Sequence, residues 1–113
     1  MTAALELEVL TALAEPNRKR IVELLRDGPR SVGDIADRLQ LVQPQTSRHL
    51  RVLADAGLVR AERQAQSRIY HLHPAPFRSL TAWLDSFAQV WETRTDRLDG
   101  YLTELQSRTE ESE

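Results

Sequence analysis

The chain has 113 residues, 41% of them hydrophobic and 28% charged, which suits one small folded domain and argues against disorder. It contains no cysteine, so disulfides, thiolate metal sites and thiol redox chemistry are excluded, and no apolar run approaches the length of a membrane span. The net charge of −2 hides an uneven distribution: residues 1–15 carry three acids and no base, residues 16–73 eleven bases and six acids, and residues 74–113 four bases and eight acids. A basic middle between acidic ends matters because attraction to a polyanion is local. With no recognisable signal peptide, a cytoplasmic location is expected.

The segment "TAALELEVLTALAEP" reads as a first helix, with Leu5, Val9 and Ala12 recurring near helical spacing beside Leu10 and Leu13. "PNRKRIVELLRDGPR" is a second: Pro16 suits its first turn, Ile21, Leu24 and Leu25 form its buried stripe, and Gly28-Pro29 stops it. "SVGDIADRLQL" is a short third helix. Ser31 is its N-cap, Asp34 completes a capping-box variant, and Ile35, Ala36 and Leu39 face inward. A fourth begins near Gln43-Pro44, buries Leu50, Leu53 and Ala54, and ends at Gly57, where a left-handed residue is needed.

The period then changes. "LVRAERQAQSRIYHLH" has two extended runs around a polar centre and reads as a two-stranded hairpin. Ala65 is a poor turn residue, so a loop longer than two residues is expected. Pro74 and Pro76 close the unit, and residues 77–107 read as one long helix with Gly100 its only glycine. Phe77, Leu80, Leu84, Phe87, Trp91, Leu98, Tyr101 and Leu105 fall at steps of mostly three and four, and Trp83, Val90 and Leu102 widen the stripe. So long a helix on so small a chain calls for a second copy. The expected homodimer surface is Leu5, Val9, Phe77, Leu80, Leu84, Phe87, Trp91 and Leu98, on the first and last helices.

The predicted fold class is therefore mainly α with a small β-hairpin, in the layout of a winged helix-turn-helix. One domain is expected over residues 1–113. Residues 16–73 form the core and wing, 1–15 and 76–107 the dimerisation helices, and 108–113 an acidic tail. In such a layout the fourth helix offers its N-terminal half to a groove of DNA. Here that half carries Gln43, Gln45, Thr46, Ser47, Arg48 and His49, with Arg51 one turn after Ser47. Gln can bond adenine, Arg can read guanine, and Ser or Thr serves base or phosphate. Arg51 suits backbone or solvent, and His49 suits either a phosphate or packing beneath the helix. The hairpin adds Arg60, Arg63, Gln66, Ser67 and Arg68, a cationic rim for an adjacent minor groove or backbone.

The chain resembles the ArsR/SmtB family of bacterial winged-helix repressors. The resemblance is carried by "ALAEPNRKRIVELL", "SVGDIADRL", "QPQTSRHLRVLADAGLVR" and "RIYHL", and spans nearly all of residues 5–105. Its C-terminal "WLDSFAQVWETRTDRLDGYL" resembles the metal-independent branch, whose members often accompany genes for SRPBCC-type lipid-cavity proteins. The resemblance implies a homodimer on a palindromic double-stranded operator, repressing its own or a neighbouring operon. The two recognition helices would then lie roughly 34 Å apart. It also marks departures. Ser31 and Gly33 stand where the family's metal sensors have a Cys-x-Cys pair, and Asp85-Ser86-Phe87 where others have Asp-x-His, so no metal and no cofactor is expected. Gln64-Ala65-Gln66 replaces a wing-tip glycine flanked by arginines. Val42 replaces a capping serine, at a cost of about 1 kcal/mol.

Other readings fit less of the chain. His71 and His73 lie on one strand face and, with Asp85, offer a sparse zinc set. No phosphate loop, nucleophile signature or carboxylate pair suggests an enzyme, and Ser47 and His49 diverge on their helix. The main alternative is a winged-helix module that binds protein, which would have little use for Arg48, Arg63 and Arg68. No small-molecule effector is legible, and no membrane partner is expected.

Overall fold

The computed structural model describes residues 2–88, 90 and 100–106, with side chains from residue 7 onward. Its elements are α1 (Thr2–Leu13), α2 (Pro16–Leu25), β1 (Arg30–Ser31), α3 (Val32–Leu39), α4 (Gln43–Asp55), β2 (Val59–Gln64), β3 (Ser67–Leu72) and α5 (Pro74–Asp85). Residues 100–106 are also helical. The chain divides into two units, residues 1–80 and residues 81–113. No helix among the described residues is long and apolar enough to cross a membrane.

Each helix boundary has a local cause. The Glu15 carboxylate accepts from the Arg18 backbone N–H at 2.8 Å and caps α2, with Pro16 in the first turn as expected. Ser31 Oγ accepts from the Asp34 N–H at 3.1 Å, the expected cap of α3. That helix stops because Gln40 turns left-handed (φ 57°, ψ 45°), which brings the Leu41 N–H onto the Ala36 carbonyl at 2.9 Å. At α4, Val42 supplies no side-chain cap. Gly57 (φ 78°) ends it, with the Leu58 N–H on the Leu53 carbonyl at 2.9 Å.

The core gathers one stripe from each of four helices and the start of β2: Val9 and Ala12, Ile21 and Leu25, Ile35, Leu50 and Leu53, then Ala56, Leu58 and Val59. Each large aliphatic side chain removed from water in this way contributes about 1.5–3 kcal/mol. Ala54, expected inside, is exposed. Val9, expected at a dimer surface, is 1% exposed and belongs to the core. Phe77 and Leu80 are partly buried against the same cluster, which leaves only their remaining surface for a partner. Leu84 and Phe87 are 46% and 44% exposed. The Leu5 side chain, Trp91 and Leu98 lie outside the described residues.

The sheet differs from the expected hairpin in two ways. It has three strands in the order β1-β3-β2, because Arg30 and Ser31 pair with Tyr70 and Ile69. A two-residue strand has no alternation to read in a sequence. The hairpin loop is also shorter than expected. Gln64 pairs with Ser67, which leaves only Ala65 and Gln66 in the turn. Ala65 takes φ 53°, and a positive φ confined to the first of two turn residues is the type II′ pattern.

The last helix departs as well. It starts at Pro74, whose missing N–H is harmless in a first turn, and it ends at Asp85 rather than running on unbroken. The Ser86 N–H is shared between the Ala82 and Trp83 carbonyls, the Ser86 hydroxyl donates to the Trp83 carbonyl, and the Phe87 N–H reaches Leu84 at i−3. A serine hydroxyl competing for backbone carbonyls tightens such a turn. Within the second unit, Trp83 and Phe87 meet edge to face with centroids 5.4 Å apart.

Candidate nucleic-acid interface

Helical spacing sorts the polar residues of α4 into stripes. Gln43, Ser47 and Arg51 recur every four residues and share one, which is exposed throughout. Thr46, Leu50 and Leu53 share a neighbouring one, about a quarter turn away, which is buried. Thr46 is 0% exposed, and its hydroxyl donates to the Val42 carbonyl at 3.0 Å. It is thereby removed from the expected DNA-contact set. The cause is position: the inward stripe runs one turn further toward the N-terminus than the leucines alone suggest.

His49 is corrected too. Its side chain is only 15% exposed, Nδ1 lies 3.7 Å from Glu15 Oε2, and Nε2 is buried without a protein partner. The ring sits beneath the helix at the α2 cap, the packing role that had been the alternative to a phosphate contact. Arg48 is exposed on a third stripe, and Gln45 is half-buried.

Strand alternation sorts the wing in the same manner. Val59, Ala61 and Arg63 of β2 lie opposite Leu72, Tyr70 and Arg68 of β3, so all six share one face of the sheet. Val59 is buried in the core, and Tyr70 and Leu72 pack against it. Arg63 and Arg68 continue that inner face past the edge of the core, toward α4. The outer face carries Glu62, whose carboxylate lies 3.4 Å from His71 Nε2.

These two sorted surfaces meet. Gln43, Ser47 and Arg51 from α4 and Arg63, Gln66, Ser67 and Arg68 from the wing line one groove of about 790 Å³. Ser31, Val32, Gly33 and Tyr70 complete its wall. Those four were missed as lining residues. Ser31 had been read as a helix cap and, like Gly33, for the metal ligand it is not, and nothing marks Tyr70 before the register is known. Gln45 and Arg48 lie outside the lining. The groove wall contains three arginines and no carboxylate. Among the described residues Arg48, Arg51, Arg63 and Arg68 are in no ion pair. The nearest acid on α3, Asp34, is already committed: hydrogen bonding from Arg30 holds its carboxyl below the usual value against partial desolvation, with Arg38 adding to the effect.

The two wing histidines have separate partners. His71 faces Glu62, while His73 Nε2 lies 3.3 Å from the Arg60 guanidinium and accepts from it. Burial holds the His73 imidazole below its ordinary value, and Arg60, Arg78 and His71 push the same way. Among the described residues, no group of three or more His, Asp or Glu is placed to hold a metal ion.

Residues 15–61 match the model of the bacterial regulatory protein, arsR family. The HTH-type transcriptional regulator Rv2034 of Mycobacterium tuberculosis is 37% identical over 101 residues, which is 89% of each chain. The transcriptional repressor SdpR of Bacillus subtilis is 30% identical over 79 residues, covering 70% of this chain and 88% of the repressor. Among solved structures, an ArsR family transcriptional regulator, RHA00566, superposes with a TM-score of 0.71 at 28% identity over 80% of this chain and 93% of its own. A homodimeric winged helix-turn-helix DNA-binding domain from Mycobacterium bovis does so with a TM-score of 0.64 at 30% identity, covering 77% and 81%.

Proposed function

The chain belongs to the arsR family of bacterial regulatory proteins, and from that premise we propose that it is a transcriptional regulator, acting as a homodimer on duplex DNA in the cytoplasm. The observation that carries this reading is the acid-free groove in which α4 and the wing bring Arg51, Arg63 and Arg68 together with Ser47, Gln43 and Gln66. On a chain of net charge −2, leaving one face without acids fits a polyanionic partner far better than general solvation does.

In this reading α4 enters the major groove and the wing lies on the adjoining backbone. Arg48, exposed and outside the wing groove, is the candidate base reader, with Gln45 beside it. Leu84 and Phe87 contribute to the dimer surface. Repression follows from occupying an operator, the role named for the Bacillus subtilis relative.

Titrating the purified protein with duplex from upstream of its own gene, at rising salt, tests the proposal. Contact with about six phosphates per dimer gives a log–log slope near −5, over and above a tighter site-specific affinity. Binding that ignores salt, or that is equal on all duplexes, rejects it. Arg48→Ala separates the roles further. Loss of about 1–3 kcal/mol on the operator alone assigns Arg48 to a base, and equal loss on every sequence assigns it to phosphate.

A further inference from the structure

The wing tip holds an arrangement that regulator function in general does not require. Arg63 and Arg68 are directly opposite each other in the antiparallel register, one pair before the turn. Like charges in that position repel. They lie on the inner face of the sheet, where the preceding pairs are Ala61 with Tyr70 and Val59 with Leu72. The turn that joins them holds Ala65 at φ 53°, a conformation that L side chains rarely adopt. Across the groove stands Arg51, with Ser47 on the turn of α4 before it. None of the three guanidiniums has an acid partner among the described residues, and the one acid of the wing, Glu62, is on the outer face against His71.

We propose that Arg51, Arg63 and Arg68 form a seat for a single tetrahedral oxyanion, filled by one backbone phosphate of duplex DNA, and that filling it steadies the wing tip. The proposal rests on the DNA-binding reading above and deepens it by assigning the groove to the sugar–phosphate strand and not to base edges. A phosphate suits the chemistry. Guanidinium forks and hydroxyls donate to its oxygens, and its charge removes the repulsion between the paired arginines. Insertion of those arginines into a minor groove is the rival arrangement, and it makes a different prediction, because minor-groove arginines favour narrow A·T-rich flanks.

The test is NMR on the full-length protein with sulfate as probe, against chloride at matched ionic strength. The side-chain Nε–H signals of Arg51, Arg63 and Arg68, and the backbone amides of the turn, are expected to shift saturably with sulfate. That response should vanish in Arg63→Gln/Arg68→Gln, a double variant whose unchanged remaining amide spectrum establishes that it folds. Added duplex should displace sulfate from the seat; sulfate signals that persist beside bound duplex overturn the assignment to a backbone phosphate. On DNA, the double variant should lower the magnitude of the log–log salt slope by roughly 1 per protomer and leave flank preference unchanged. A changed A·T preference in the flanks overturns the seat in favour of the minor groove. If duplex binds while sulfate moves none of the three arginines, the seat falls and the DNA reading stands. If sulfate binds but no duplex does, the DNA reading falls and the assignment of the seat to a backbone phosphate falls with it, leaving only an anion site.

Discussion

His49 Nδ1 lies 3.7 Å from Glu15 Oε2, and the same Glu15 carboxylate caps α2 through the Arg18 N–H. One acid thus joins the corner between α1 and α2 to the underside of the recognition helix. Removing either partner should loosen the seating of α4 without touching the groove. His49→Ala is expected to cost about 1–2 kcal/mol of stability, from lost packing and a carboxylate left facing a void. Urea unfolding reads that loss, and the sequence preference of the variant on DNA should match the wild type. A changed base preference at full stability would return His49 to the DNA-contact set.

Thr46 and Ser47 are adjacent hydroxyls with opposite duties. Thr46→Val keeps the buried volume and removes the bond to the Val42 carbonyl, so it should cost about 1 kcal/mol of stability and leave DNA affinity alone. Ser47→Ala, on the exposed groove wall, should do the reverse. Parallel urea titrations and duplex titrations of the two variants separate these effects. A Thr46→Val protein of unchanged stability and weakened DNA binding would contradict the burial.

The two hydroxyls also mark how far the sequence could be read. The stripe Leu50–Leu53 identifies the inner face of α4, but extending it back to Thr46 needs the depth of the core, which no local pattern encodes. Gly57 announces its left-handed turn because glycine is the residue that adopts it freely. Gln40 and Ala65 make turns of the same hand with ordinary side chains, so the end of α3 and the short wing loop carried no signal. Strand β1 was illegible for another reason: its two residues become a strand only through pairing with Tyr70 and Ile69. The groove was visible in its parts, as basic and amide residues on two segments. Its inner wing wall depended on register, which a loop of uncertain length leaves open.

Ala65→Gly follows from that turn. Glycine relieves the left-handed backbone but gives the unfolded chain more freedom, so the net gain should be about 0.5–1 kcal/mol. A higher urea midpoint at constant m-value is the expected result. A loss of stability would mean that the turn does not hold Ala65 at positive φ.

Leu84 and Phe87 expose nearly half of their surfaces on the second unit, and Trp83 packs its ring edge to face with Phe87. If a second copy covers this face, Leu84→Asp/Phe87→Asp should convert the dimer to monomer at micromolar concentration, because a buried unpaired carboxylate costs several kcal/mol. Sedimentation velocity reads the mass. The far-ultraviolet spectrum should change little, since both residues are exposed in the single chain. A double variant that stays dimeric excludes these residues from the interface.

His73 gives a pH dependence with a defined sign. Its imidazole accepts from Arg60 and is held below its ordinary value by burial, with Arg60, Arg78 and His71 adding repulsion. The folded state therefore prefers the neutral ring more than the unfolded chain does. The resulting stability is present above the unfolded value of about 6.5 and is lost as pH falls through the lower folded value. Urea midpoints should thus decline on acidification through that window. His73→Asn, which keeps a polar group and cannot charge, should flatten the decline. Arg60→Ala should weaken it without abolishing it, because burial is the larger cause. A wild-type midpoint that rises on acidification through the same window would mean that His73 gains a proton more readily folded than unfolded, against the cationic surroundings in which the fold places it.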